Sequence, residues 1–247
     1  MPFTINLDAG ILIAAGLFVL YSLIAGPRDN RRLGSVADTA ARQAFYRNVL
    51  IQGFVVGIVG GLAILALKGR LGALSQLPPE FMPAHQFLQG PIAGAAFWVL
   101  VAGAVSLWIA PRLFRVLKPS KTEKSAKSAR ATFKAVPFFP RNGAERNWVV
   151  IISLVAGVNE ELLFRLALPL TVYSASGNLV LALIAPTAAF GLGHLYQGAA
   201  GVLASMFVGA LLLGVYLASG SIWLAMAAHA LLDLVTIVVL SWALDRR

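Results

Sequence analysis

Six ionisable residues stand inside stretches that otherwise read as membrane helices: Glu160, Glu161, Arg165, His194, His229 and Asp233. Ionisable groups are costly in hydrocarbon, so those that persist there face a cavity or one another and mark function. Glu161 with Arg165, and His229 with Asp233, are spaced i,i+4, and His194 follows Phe190 by the same interval. That spacing puts each pair on one helix face. Carboxylates and imidazoles gathered away from bulk water suit general acid–base chemistry. Three helices therefore offer polar groups to one site, and the chain reads as an enzyme.

The roles divide by neighbourhood. Glu161 precedes Arg165 in the orientation that favours an ion pair, and pairing neutralises both. Glu160 points about 100° away around the helix. It lacks that partner and is the candidate general base. The alternative is a single structural ion cluster of all three. His194 closes the run Phe190-Gly191-Leu192-Gly193. Alone it reads as a helix-end histidine bonded to a backbone carbonyl; beside Glu160 it could share a water. His229 and Asp233 could be an inert hydrogen-bonded pair or part of the shared site. His85, in a proline-rich loop with Pro78, Pro79 and Pro83, reads as a surface residue. Glu160, His194 and His229 could also form a zinc site with an open position. The His-Glu-x-x-His pattern is absent, so a site without metal or other cofactor is preferred.

These residues need a membrane scaffold. The 247-residue chain is 59% hydrophobic and only 12% charged, against about 25% charged in a soluble domain. It reads as an all-α polytopic bundle. Seven apolar segments stand out, each near the ~20 residues that span a bilayer. They are roughly Ala9–Ala25, Phe45–Leu67, Pro91–Ala110, Trp148–Val172, Asn178–His194, Ala199–Ala218 and Ile222–Leu244. The fifth is short, and Pro186 predicts a kink or a re-entrant segment. The N-terminus lacks the basic region of a signal peptide and reads as a retained first helix.

Charge orients the bundle. The formal net charge is +10, with the basic residues gathered in two loops. The first holds Arg28, Arg31, Arg32 and Arg42; the larger runs from Arg112 through Lys118 and Lys134 to Arg146. Seven spans with the N-terminus outside and the C-terminus cytoplasmic put both loops inside, as the positive-inside rule expects. This distribution argues for lipid rather than nucleic acid as partner. The run Lys118 to Lys134 reads as a solvated topology determinant or a helix on anionic headgroups. The charge pattern also divides the chain. Residues 1–147 form three accessory helices and the basic loop, and 148–247 form a four-helix catalytic core. There is no cysteine, which excludes disulfides, thiolate zinc sites and cysteine nucleophiles.

Three motifs in order, Glu160-Glu161 to Arg165, Phe190 to His194 and His229 to Asp233, resemble those of the CPBP intramembrane proteases. This is the CAAX-protease-and-bacteriocin-processing, or ABI, family, which includes the Rce1-type CAAX prenyl endopeptidases. The resemblance implies a glutamate-dependent endopeptidase acting on a membrane-associated peptide or lipidated protein. Glu160 and His194 would activate a water, and His229 with residue 233 would stabilise the oxyanion. Glu161 and Arg165 would hold the geometry, and Phe190 would line the site. The CAAX endopeptidases typically carry Asn at the last position, where this chain has Asp233; an ionised Asp would repel an oxyanion, and only a protonated one, which burial favours, could donate. Alternatively Asp233 orients His229. A bacterial inner membrane is the expected location. The competing readings are a non-catalytic scaffold or bacteriocin-immunity protein, and a small transporter or proton-coupled channel.

Overall fold

The computed structural model describes residues 6–117, 136–239 and 241. Every regular element among them is helical. In hydrocarbon the backbone must satisfy its own hydrogen bonds, and an apolar chain does so by coiling. The first helix is α1, Leu7–Ser35, and the second is α2, Thr39–Leu67. After two short turns come α3, Met82–Gln89, and α4, Pro91–Leu117. A long helix, α5, covers 143–176 in three stretches, Gly143–Glu161, a widened turn Leu162–Ala167, and Leu168–Ser176. Then follow α6, Leu179–Gly193, α7, Gly198–Ser219, and α8, Ile222–Val238. Polar side chains start them. Asn6, Asp38, Asn142, Asn178 and Ser221 each accept a first-turn N–H, as N-caps do. Gly177 and Gly220, at φ 66° and 70°, close α5 and α7 in the left-handed conformation that glycine adopts without strain.

Each of the seven apolar segments holds helix. Among the described residues, three helical stretches are long and apolar enough to cross a bilayer: Leu7–Ser35, Thr39–Leu67 and Leu195–Ser219. A fourth arises if Pro79–Gln89 and Pro91–Leu107, bent by 87°, count as one broken span. Helix α5 interrupts its apolar run with Glu160, Glu161 and Arg165. Helices α6 and α8 are shorter. Helix α6 continues through Pro186, which is buried.

Several boundaries differ from the hydropathy reading. The first basic loop is mostly helix: α1 continues to Ser35 and α2 starts at Thr39. Arginine is a good helix former, so loss of hydrophobicity does not end a helix. The run Lys118 to Lys134 and the C-terminal Arg246 and Arg247 lie outside the described residues. His85 is not a free surface residue. It sits half-buried on α3, with Nδ1 2.6 Å from the Leu217 carbonyl oxygen at the end of α7. Arg42, read as a loop residue, is fully buried against Glu145.

The main core gathers Leu162, Phe164 and Leu166 of α5 with Phe190 of α6, Tyr216 of α7 and Met226 of α8. Phe81, ahead of α3, seals it. The outward faces stay apolar: Ile92, Val99 and Leu107 of α4 and Ile184 of α6 are exposed. In water this would be a liability; against lipid tails it is the required surface. The helical architecture and this exterior are those of an integral membrane protein.

Candidate active site

Helix α5 carries the first motif just before its widened turn. Pro169 has no N–H to return to the carbonyl of Arg165. The ladder opens instead, and the N–H of Leu168 bonds Leu163 O, five residues back. Such π turns recur where a helix must re-aim its side chains. Here the turn begins directly after Glu161 and contains Arg165.

Glu161 is the hub of the ionic frame and is fully buried. Its Oε2 lies 3.2 Å from Arg165 Nε, and its Oε1 2.7 Å from His229 Nδ1 on α8. A carboxylate only accepts, so His229 Nδ1–H donates. This fixes the imidazole and turns its Nε2 toward Glu160. That Nε2 stands 3.7 Å from Glu160 Oε2. Glu160 keeps 28% of its side chain exposed while Glu161 keeps none. The two adjacent glutamates thus face different surroundings: one is locked in the frame, the other partly exposed.

Phe190 joins the remaining helices. The Arg165 guanidinium lies 4.2 Å over its ring, a cation–π contact. Arg165 Nη2 also donates to Gly209 O of α7 at 3.3 Å. The Phe190 ring centroid is 4.8 Å from that of His194 and 6.1 Å from that of His229. His194 caps α6, and its Nδ1 lies 2.9 Å from Phe190 O. A carbonyl cannot donate, so Nδ1 carries the proton and Nε2 keeps its lone pair. The helix-end bond and an acid–base role are therefore compatible: the carbonyl selects the tautomer that leaves Nε2 able to accept.

Asp233 is half-buried one turn beyond His229. It is within electrostatic reach of His229, Glu160, His194 and Glu161. Among the described residues its carboxylate makes no hydrogen bond. The inert His229–Asp233 pair is not formed, because Glu161 holds the Nδ1 of His229. The residues of the three motifs thus lie near one another on α5, α6 and α8, with His194 joined through the Phe190 ring and within electrostatic reach of Asp233. Sequence reading missed the Glu161–His229 bond and the Gly209 carbonyl on α7. It also missed Tyr196, whose ring centroid is 5.7 Å from that of His194. Among the described residues no group of three His, Asp or Glu side chains stands close enough to hold a metal ion.

The arrangement offers an accessible carboxylate, an imidazole with a free lone pair and a second imidazole held by a buried carboxylate. Residues 144–235 match the family model described as type II CAAX prenyl endopeptidase Rce1-like. Comparison with curated proteins and with solved structures gave no match. The matched span runs from the start of α5 to just past Asp233 and contains every residue of the cluster. The resemblance carried by the three motifs is thereby shown for this part of the chain, and the matched family is one of proteases.

Proposed function

We propose that this chain, Rce1-like over residues 144–235, is an intramembrane endopeptidase whose general base is Glu160 and whose site works without metal. The observation that carries the reading is the split between the glutamates. Glu161 is spent on Arg165 and His229, while Glu160 stays open beside His229 Nε2. A base must reach water; a frame must not.

A water between Glu160 and the free Nε2 of His194 gives its proton to Glu160 as its oxygen attacks the peptide carbonyl carbon. The carbonyl electron pair moves onto oxygen. His229, when its Nε2 is protonated, donates to that oxyanion. Collapse of the intermediate breaks the C–N bond, and Glu160 returns the proton to the departing amine. Glu161, Arg165 and Phe190 hold the imidazole and the carboxylate at fixed separation.

The substrate is a membrane-associated protein or peptide, either a CAAX-type lipidated C-terminus or a peptide under maturation. Helix α6 supports access within the bilayer. Its 15 residues extend about 22 Å, short of the roughly 30 Å hydrocarbon layer. His194, at its end, then lies inside the membrane rather than beyond it. The distribution of Arg and Lys supports seven crossings with the N-terminus outside; a bacterial inner membrane is the location proposed with it.

The test is terminal-peptide proteomics of membranes from cells expressing wild type or Glu160→Gln at matched levels. New protein termini should appear with the wild type and form about 10²–10⁴-fold more slowly with the variant. Identical termini would defeat the reading in favour of a scaffold or immunity role. Cleavage abolished by phenanthroline and restored by zinc would replace the metal-free route with a zinc one.

A further inference from the structure

We infer that Tyr196 is a further catalytic residue, its phenolic O–H donating the oxyanion hydrogen bond that an ionised aspartate at 233 cannot give; this rests on the endopeptidase reading above. Tyr196 lies in the short turn Leu195–Gln197 that joins α6 to α7, two residues after His194. Its ring is tilted 33° to the His194 imidazole with centroids 5.7 Å apart. It lies within electrostatic reach of both Glu160 and Asp233. The hydroxyl oxygen accepts from Gln197 Nε2 at 3.0 Å. Among the described residues the hydroxyl's own proton has no acceptor, so it is available to a ligand.

The turn is held in place from outside the catalytic half. Asn30 Nδ2 of α1 donates to the Tyr196 carbonyl oxygen at 3.0 Å. Gly26, one turn earlier on α1, packs against the same residue: a Cβ there would lie in ordinary van der Waals contact, 3.5 Å from Tyr196 Cβ. A tyrosine that merely anchors the membrane interface turns its ring toward headgroups. Here the side chain is half-buried, sits against His194 and has its backbone pinned by α1. Pre-organised donors of this kind are what stabilise developing negative charge.

The chemistry needs such a donor. As water adds to the peptide carbonyl, negative charge gathers on oxygen. An ionised Asp233 has only lone pairs to offer. Tyr196 keeps its proton throughout and donates a hydrogen bond to the oxyanion. The proton taken from water travels by Glu160 to the leaving amine, so the donor is unchanged at the end of the cycle.

The experiment follows the rate at which wild-type-dependent termini appear in membranes. It compares wild type, Glu160→Gln, Tyr196→Phe and Tyr196→Phe/Asp233→Asn at matched folded protein. Tyr196→Phe should be about 10²-fold slower. Asn at 233 has an N–H to give and should recover part of that loss. A Tyr196→Phe rate within about twofold of wild type, with Glu160→Gln silent, overturns the role of Tyr196 alone. A double variant no faster than Tyr196→Phe overturns the donor assignment. Glu160→Gln at the wild-type rate overturns the endopeptidase reading itself. Should Tyr196→Phe fail to fold, Asn30→Ala keeps the phenol but loosens its turn, and a wild-type rate there overturns the proposal equally.

Discussion

Two buried charge clusters lie along α5, and they differ in how completely their hydrogen bonds close. Near its start, Arg42 donates from Nε to Glu145 Oε2 at 2.9 Å and from Nη1 to Leu33 O at 3.0 Å. Its Nη2 reaches the Tyr46 hydroxyl and the carbonyls of Pro137 and Phe139. Glu145 also accepts from the Arg141 N–H and the Asn142 amide, and its own N–H caps onto Asn142 Oδ1. Further along, Arg165 Nη1 has no hydrogen-bond partner among the described residues, and the 3.2 Å approach of its Nε to Glu161 Oε2 is not an aligned hydrogen bond. Glu160 stays partly exposed. The first cluster ties α1, α2 and the start of α5 together and has nothing left to offer. The second is unfinished. Buried charge alone therefore does not mark a site; unfinished coordination beside an accessible carboxylate does.

The comparison is broken most directly at Glu161. Glu161→Gln leaves Arg165 buried without its counter-charge and lets His229 turn. Removing one partner of a buried pair costs about 3–5 kcal/mol. Misplacing a catalytic group by about 1 Å costs on the order of 10²-fold in rate. Both losses should appear, in thermal unfolding and in the rate of new termini per folded molecule. A loss of stability with an unchanged rate would make this cluster the equal of the first.

Arg42→Met is the matching test on the closed side. It strands Glu145 and several carbonyls, and the same about 3–5 kcal/mol of stability should go. The rate per folded molecule should stay within about twofold, because among the described residues none of these hydrogen bonds goes to a side chain of the site or to Asn30 and distant clusters act independently. A large drop in rate at constant fold would mean that the start of α5 is coupled to Glu160.

What could be read from the sequence follows from what spacing encodes. Helical periodicity put Glu161 over Arg165 and Phe190 beside His194, and both contacts form. Order along the chain put all three motifs in one half. The bond that organises the site, Glu161 to His229, joins positions 68 residues apart, and no local pattern encodes which faces of two helices meet. The burial of Arg42 was hidden for a related reason. Hydropathy counts an arginine as loop wherever it falls, whereas Tyr46 and Glu145 make it core. The same blindness made α1 too short and left His85 on the surface. Helix ends are set by capping and docking rather than by the edge of an apolar run.

The finest test asks whether helix contact alone distinguishes the two ends of α5. Gly157 lies one turn before Glu161, where α5 meets α8. A Cβ at Gly157 would stand 2.7 Å from both Met226 O and Ala230 Cβ. Backbone cannot yield as a side-chain tip can, so α8 must move, and His229 lies between those two contacts. Gly157→Ala should therefore lower stability by about 1–3 kcal/mol, although the same change in an unconstrained helix favours folding by about 0.5–1 kcal/mol. The rate should fall several-fold, less than for Glu161→Gln, because the ion pair survives while the imidazole shifts. Gly143, beside the closed cluster, has nothing within 4 Å of an added Cβ. Gly143→Ala should leave both unfolding temperature and rate near wild type. Equal behaviour of the two variants would mean that α8 follows α5 freely, and that the 2.7 Å bond between His229 and Glu161, rather than helix packing, sets the position of the imidazole.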